Sequence, residues 1–178
     1  MQQFDLLGIG NSVVDLLYKV DDEFIKNNKL EKGVMTLIDE EKAEKFYSKL
    51  KQGVEVAGGS VANSTVGFAS LSGKPAFIGK IKDDNLGKSF SKSLDDNKVF
   101  YKTKPSLEGP GTARCFIFVT PDAQRTMNTY IGACSLLSPK DIDDYLNNGI
   151  DIAMSATGAM WNPFLAHQWQ TKEKTNQN

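Results

Sequence analysis

The chain has 178 residues, 40% hydrophobic and 24% charged, with a formal net charge of -1. This suits a single globular domain with a real core, and it offers no electrostatic reason to expect nucleic acid or an anionic membrane as partner. No apolar run reaches a membrane-spanning length, and the start MQQFDLLGIG lacks the basic flank of a signal peptide.

In chain order, FDLLGIG (4–10) is an apolar run ended by glycines and predicts a buried strand. SVVDLLYKV (12–20) is also β-prone, with Asp15 in its middle, and DDEFIKNN (21–28) predicts a short helix with acids at its start. VMTLI (34–38) is strand-like, and Asp39 can cap the helix EEKAEKFYSKL after it. Residues 54–57 form a strand leading into Gly58 and Gly59. A small-residue helix, SVANSTVGFASL (60–71), follows with Ser60 as its cap. PAFIGKI (75–81) is a strand and NLGKSFSKSLDD (85–96) a helix. VFYKTK and TARCFIFVTPDAQRTMNTYIGA are β-rich, with PDAQ (121–124) as a tight turn. SPKDIDDYL (138–146) returns to helix, with Ser138 as cap and Pro139 at the first helical position. A last strand is expected over 150–158, and the glutamine- and asparagine-rich end HQWQTKEKTNQN reads as disordered.

Strands alternating with helices predict an α/β fold with a doubly wound, mainly parallel sheet. The β-only pieces around 12–20, 34–38 and 99–131 do not belong in such a sheet and suggest a small β-sheet lid. The expected division is 1–152 as the α/β part with its lid, and 153–178 as a divergent tail.

Two glycine patterns carry nothing. GIGNSV (8–13) has Val13 where a dinucleotide fingerprint needs its third glycine, and an extended segment where it needs a helix. GFASLSGKP (67–75) spaces its glycines one residue too far apart for a phosphate loop, with Pro75 at the hydroxyl position. Cys115 and Cys134 lie apart and the one histidine is His167, which argues against a zinc site and fits a reducing, cytoplasmic compartment.

Three features admit a sharper reading beside a plain one. Asp15, amid VVDLL, is either a polar position on the exposed side of a lid strand or a carboxylate accepting hydrogen bonds from adjacent hydroxyls of a ligand. Gly58 and Gly59 either open a helix or let backbone approach a ligand, with Asn63 one turn on as donor and acceptor. Of 21 basic residues only Arg114 and Arg125 are arginine. Arg125, just after the turn, is a surface residue or an anion contact.

Taken in order, GIGNSVVD, AGGSVANS, FIGKIKDDNLG and GTARCFIFVTPDAQRTMNTYIGA resemble the first half of a ribokinase-like (PfkB) carbohydrate and nucleoside kinase. Within that family the chain is most similar to bacterial adenosine kinase-type sugar kinases, which also have a segment like EKGVMTLID. The resemblance covers residues 4 to about 150. It implies a doubly wound α/β domain with a β-sheet lid, and transfer of the ATP γ-phosphoryl group, with Mg2+, to a hydroxymethyl group of a sugar or nucleoside.

Carried over by residue, the resemblance gives Asp15, assisted by Asn11, the vicinal hydroxyls of the sugar. It makes Gly58, Gly59 and Asn63 the floor and side wall of the pocket, and Met127, Thr129 and Ile131 its base or sugar lining. Arg125 would face the phosphates from the lid. Positioning and charge neutralisation supply most of phosphoryl-transfer catalysis, so these roles are physically coherent.

Val61 stands where the family often has a smaller residue, and Lys82 where it has glycine. The family's G-x-G-D motif, whose aspartate is the catalytic base, does not occur in these 178 residues. The chain therefore reads as the substrate-and-lid half of such a kinase, truncated, inactive alone, and without the half that binds ATP and Mg2+. The competing reading is a non-catalytic sugar- or nucleoside-binding protein, or a module that forms a homodimer through the lid.

Overall fold

The computed structural model describes residues 4–50, 53–146 and 150–155. Its strands sort into two open sheets. One is four-stranded and wholly parallel, in the order β6-β5-β1-β9, where β1 is Phe4–Ile9, β5 Pro75–Ile78, β6 Phe100–Tyr101 and β9 Ile150–Ser155. The other has five strands in the order β3-β8-β7-β2-β4, where β2 is Val13–Lys19, β3 Met35–Leu37, β4 Val54–Ala57, β7 Ala113–Val119 and β8 Arg125–Tyr130. Within it β2 runs parallel to β7 and β3 to β8, while β4 pairs antiparallel with β2, and β7 with β8.

The helices are α1 (Asp22–Asn27), α2 (Glu40–Lys49), α3 (Ser60–Ser70), α4 (Asn85–Asp96) and α5 (Pro139–Leu146), with a 3-10 turn at Gly132–Leu136. Three of them begin on aspartate. Asp21 accepts from Phe24 N–H at 2.7 Å, Asp39 from Lys42 N–H at 2.8 Å and Asp84 from Gly87 N–H at 2.8 Å. Each satisfies an N–H that the helix itself cannot. α3 differs from its expected start: Gly59 is the residue before the first turn, no side chain caps it, and Ser60 is already helical.

The apolar faces explain the layering. Phe77 of β5, Phe90 and Leu94 of α4 and Val61 and Ala62 of α3 join Val14, Leu16, Phe116, Phe118 and Phe46 in one buried cluster. One face of the parallel sheet thus shares a core with the back of the five-stranded sheet. The other face, Leu7, Ile9, Ala76 and Ile78, packs with Ile142 of α5 and with Leu137, which follows the 3-10 turn. Helices on both faces of a parallel sheet are the doubly wound arrangement.

Two strand assignments depart from the sequence reading. Phe100–Tyr101 joins the parallel sheet, pairing with Ala76 and Phe77, rather than the β-only sheet. Val54–Ala57 forms the far edge of the five-stranded sheet, with Val54, Glu55 and Val56 all exposed. Val61 fits because Gly8 of β1 and Gly10 just after it lie beneath it: a Cβ at Gly8 would lie 2.7 Å from Val61 Cγ1, and one at Gly10 2.9 Å from the Val61 Cβ. Lys82 is equally settled, its N–H bonded to Thr112 Oγ1 at 3.0 Å and its ammonium to Gly109 O at 3.1 Å. The expected divergent tail, apart from 153–155 in β9, lies outside the described residues, and with it the end expected to be disordered.

α5 is fixed to the carboxyl end of β5 by one ion pair. Lys80 Nζ sits 2.6 Å from Asp141 Oδ1, with the side chains only 14% and 11% exposed. The other carboxylate oxygen accepts from Ser138 N–H at 3.0 Å and its hydroxyl at 2.8 Å. Burial pushes the Asp141 carboxyl up, but the bonds from Lys80 and Ser138 outweigh it and hold the group below its ordinary value. A depressed carboxyl contributes stability above its unfolded value, near 3.9, and loses it as pH falls through the folded one. Asp141→Asn should therefore cost about 3 kcal/mol at pH 7, since it leaves a buried ammonium short of its partner. The deficit should shrink below about pH 4, and urea denaturation at the two pH values measures it.

Candidate functional site

The five-stranded sheet has a second face, and alternate residues of its strands place a row of unlike side chains there. Asp15 is registered beside Cys115 and Val56, Cys115 opposite Thr129, and Thr129 beside Leu37. Period two puts all five on one side of the sheet. An open pocket of about 180 Å³ lies over this row, lined by Asn11, Val13, Asp15, Met35, Leu37, Gly59, Ser60, Cys115, Thr129 and Ile131. It sits where the chain leaves β1 for β2 and where α3 begins, bordered by strands of the five-stranded sheet.

Asp15 is half-buried, and burial raises its carboxyl above the ordinary value. No donor among the described residues hydrogen-bonds to it. Such a carboxylate can accept hydrogen bonds from donors outside the chain. Beside it the Cys115 thiol is pushed up to about 11, chiefly by burial. It stays protonated at neutral pH and accepts from Thr129 Oγ1 at 3.2 Å. Cys115 is floor, not nucleophile.

The two glycines of AGGSVANS have distinct reasons. Gly58 N–H donates to Val13 O at 2.8 Å, which presses its Cα against Asp15; a Cβ there would fall on the carboxylate. Gly59 has φ +92°, and a Cβ on it would lie 2.5 Å from Asn11 O. That conformation favours glycine and turns the chain into α3. The first turn of α3, with no side-chain cap, then presents backbone N–H groups beside the pocket, where the helix dipole adds to their attraction for negative charge.

Of the residues singled out in the sequence, Asn11, Asp15, Gly59, Thr129 and Ile131 line the pocket, and Gly58 backs the carboxylate. Asn63 is exposed, one turn up α3, and outside the lining; its N–H bonds to Gly59 O at 2.9 Å. Met127 shares Thr129's face but lies one step further along β8, between Ile117 and Met35. Arg125 is exposed at the start of β8, where it pairs with Val119, four residues from Thr129 or roughly 13 Å along the strand, and its side chain has no hydrogen bond or ion pair among the described residues.

The lining also contains Val13, Met35, Leu37, Ser60 and Cys115, which sequence reasoning did not single out. Met35 and Leu37 were findable from the alternation in VMTLI. Cys115 was not, because it enters only through its register with Asp15. Arg114 turns inward on the opposite face and is taken up by protein contacts.

Among the described residues no three His, Cys, Asp or Glu side chains converge on a point that could hold a metal. No helix among them is long and apolar enough to cross a membrane.

Residues 33–171 match the family model of the pfkB family carbohydrate kinase. The crystal structure of adenosine kinase from Sinorhizobium meliloti is similar at 42% identity and a TM-score of 0.77, over 85% of this chain and 46% of that one. Guanosine-inosine kinase of Escherichia coli K12 is 26% identical over 147 residues, 78% of this chain and 34% of the relative. A 46-residue stretch, 26% of this chain and 12% of the relative, is 48% identical to a dihydroorotate dehydrogenase of Dictyostelium discoideum, too short a piece to carry a fold. The chain spans less than half the length of each of these relatives.

Proposed function

Because the chain belongs to the pfkB family of carbohydrate kinases, we propose that it forms the acceptor-binding and lid portion of an ATP-dependent kinase for the hydroxymethyl group of a sugar or nucleoside, adenosine or a ribose-like compound first. The observation that carries this is the Asp15 carboxylate, half-buried and without a partner among the described residues, on the floor of a pocket whose other walls are Met35, Leu37, Ile131 and the start of α3. One carboxylate can accept from two neighbouring hydroxyls, while the apolar wall suits the flat face of a base or ring.

In this reading Asp15 and Asn11 hold the sugar, Gly58 and Gly59 let backbone reach it, and Thr129, Ile131 and Met127 line its far side. Asn63 and Arg125 would act only on a ligand reaching beyond the pocket, Arg125 on the phosphates. Family membership implies ATP as donor with Mg2+, while no G-x-G-D motif occurs in the 178 residues and no cluster of three metal-binding side chains occurs among the described ones. The 178-residue chain alone should therefore bind acceptor and transfer nothing. Calorimetric titration with adenosine and with ribose, beside an ATP-turnover assay, tests both halves; absence of binding would remove the acceptor site, and turnover above a blank would remove the claim of inactivity. A cytoplasmic setting is part of the proposal, supported by two buried free cysteines.

A second reading has its own observation. Met35, Leu37, Val54 and Val56 are exposed on the Asp15 side of the sheet, an apolar surface that a second copy of the lid could cover. Sedimentation separates the two: a dimer that adenosine leaves intact favours a lid-mediated module, and a monomer favours the acceptor site.

A further inference from the structure

Arg114 is 5% exposed and lies at the centre of the five-stranded sheet's back, registered between Val14 and Tyr130. Its guanidinium carbon is 4.9 Å from the Tyr47 ring centroid and 5.6 Å from that of Tyr130, and Nη2 makes an ion pair with Glu44. Nε is buried without a partner. A sheet that needed only an apolar core would not keep such a group there, because an unpaired buried N–H is costly. Its contacts all have one effect: they join β7 and β8 to α2, which supplies Glu44 and Tyr47.

The chain leads directly from β3 into α2. That strand has three residues, is a sheet edge, and pairs only with β8. Two backbone bonds flank it, Ile38 N–H to Thr129 O at 2.9 Å and Met127 N–H to Val34 O at 3.0 Å. Its side chains Met35 and Leu37 are half-exposed and form one wall of the pocket. Only Ile38 and Asp39 separate β3 from α2, so a loosened α2 frees the wall. Phe46 anchors the helix to Phe116 and Phe118 from the same turn as Tyr47, and Arg114 adds a planar contact that a lysine could not reproduce.

We propose that Arg114 is a positioning residue that, through Glu44 and Tyr47, fixes α2 and thereby holds the β3 wall of the acceptor pocket. It touches no ligand: its own strand neighbour Cys115 reaches the pocket from the opposite face. The role of the wall rests on the acceptor reading above, whereas the clamp itself does not.

The test measures amide exchange and adenosine binding in the 178-residue chain carrying Arg114→Lys, Glu44→Ala, Tyr47→Ala or Tyr47→Phe. Glu44 and Tyr47 are both on the surface, at 59% and 40% exposure, so these variants probe the clamp without opening the core. Exchange at Ile38 and Met127 should rise at least tenfold in the first three and stay unchanged in Tyr47→Phe, which keeps the ring. Exchange at Leu7 and Phe77 should not move, and adenosine affinity should fall about fivefold in the same three. Exchange at Ile38 within twofold of wild type in all three, or an equal rise at Phe77, overturns the clamp. If the unmodified chain does not bind adenosine, the acceptor reading fails while exchange still decides the role of Arg114.

Discussion

Asp15→Asn should abolish most acceptor binding while making the chain slightly more stable. Two hydrogen bonds to a charged acceptor at roughly 1.5–3 kcal/mol each imply about a hundredfold weaker binding or more. The gain in stability follows from burial, which raises the Asp15 carboxyl in the folded state. A carboxyl with a raised folded value binds protons more tightly folded than unfolded, so its cost develops as pH climbs through the unfolded value near 3.9 and persists at neutral pH. Thermal unfolding should place Asp15→Asn above wild type at pH 7, with the gap closing below about pH 4. A lower melting point together with near-normal affinity would make Asp15 a structural residue.

Gly58→Ala is the companion experiment, and its effect should reach the ligand through Asp15. The new methyl group would occupy the position of the carboxylate, whose Oδ1 lies 2.7 Å from an ideal Cβ. Crowding of this kind costs about 1–3 kcal/mol, and the cheapest relief is for the carboxylate to rotate out of the pocket. Adenosine affinity should drop tenfold or more. Residues in contact do not contribute independently, so the double variant with Asp15→Asn should bind scarcely more weakly than Asp15→Asn alone. Full additivity in calorimetry would mean that Gly58 acts on the ligand by itself.

The parts legible in the sequence were those written in local patterns. Apolar runs closed by glycine gave β1 and β5, and an aspartate ahead of EEKAEKF gave the start of α2. The order of AGGSVANS and FIGKIKDDNLG pointed to the family. Partner choice between strands was not local. Nothing in VEVA distinguishes an edge of the second sheet from a strand of the first, because both need the same alternation or short apolar run. VFYKTK was β-rich for the same reason, yet two of its residues pair with Ala76 and Phe77. Ser60 looked like a cap by residue type, but Gly59 already makes the turn with a positive φ, which leaves Ser60 inside the helix.

The site divided along the same line. Asp15 and the glycine pair were visible because a carboxylate in an apolar run and adjacent glycines are unusual in themselves. Cys115 and the Glu44–Arg114–Tyr47 contact were invisible because they depend on register and on which face of β7 meets α2. The scarcity of arginine did flag Arg114 and Arg125 alike. Only the fold separates the buried one, engaged by two rings and a carboxylate, from the exposed one at the tip of a hairpin.

The most direct test of the account compares adenosine with 2′,3′-dideoxyadenosine by calorimetry on the 178-residue chain and on Asp15→Asn. If Asp15 accepts from adjacent hydroxyls, the dideoxy compound should bind wild type about a hundredfold more weakly, by the same hydrogen-bond magnitudes. The two compounds should then bind Asp15→Asn with nearly equal affinity. Equal affinity of both compounds for the wild-type chain would contradict the assignment of Asp15 and, with it, the acceptor pocket.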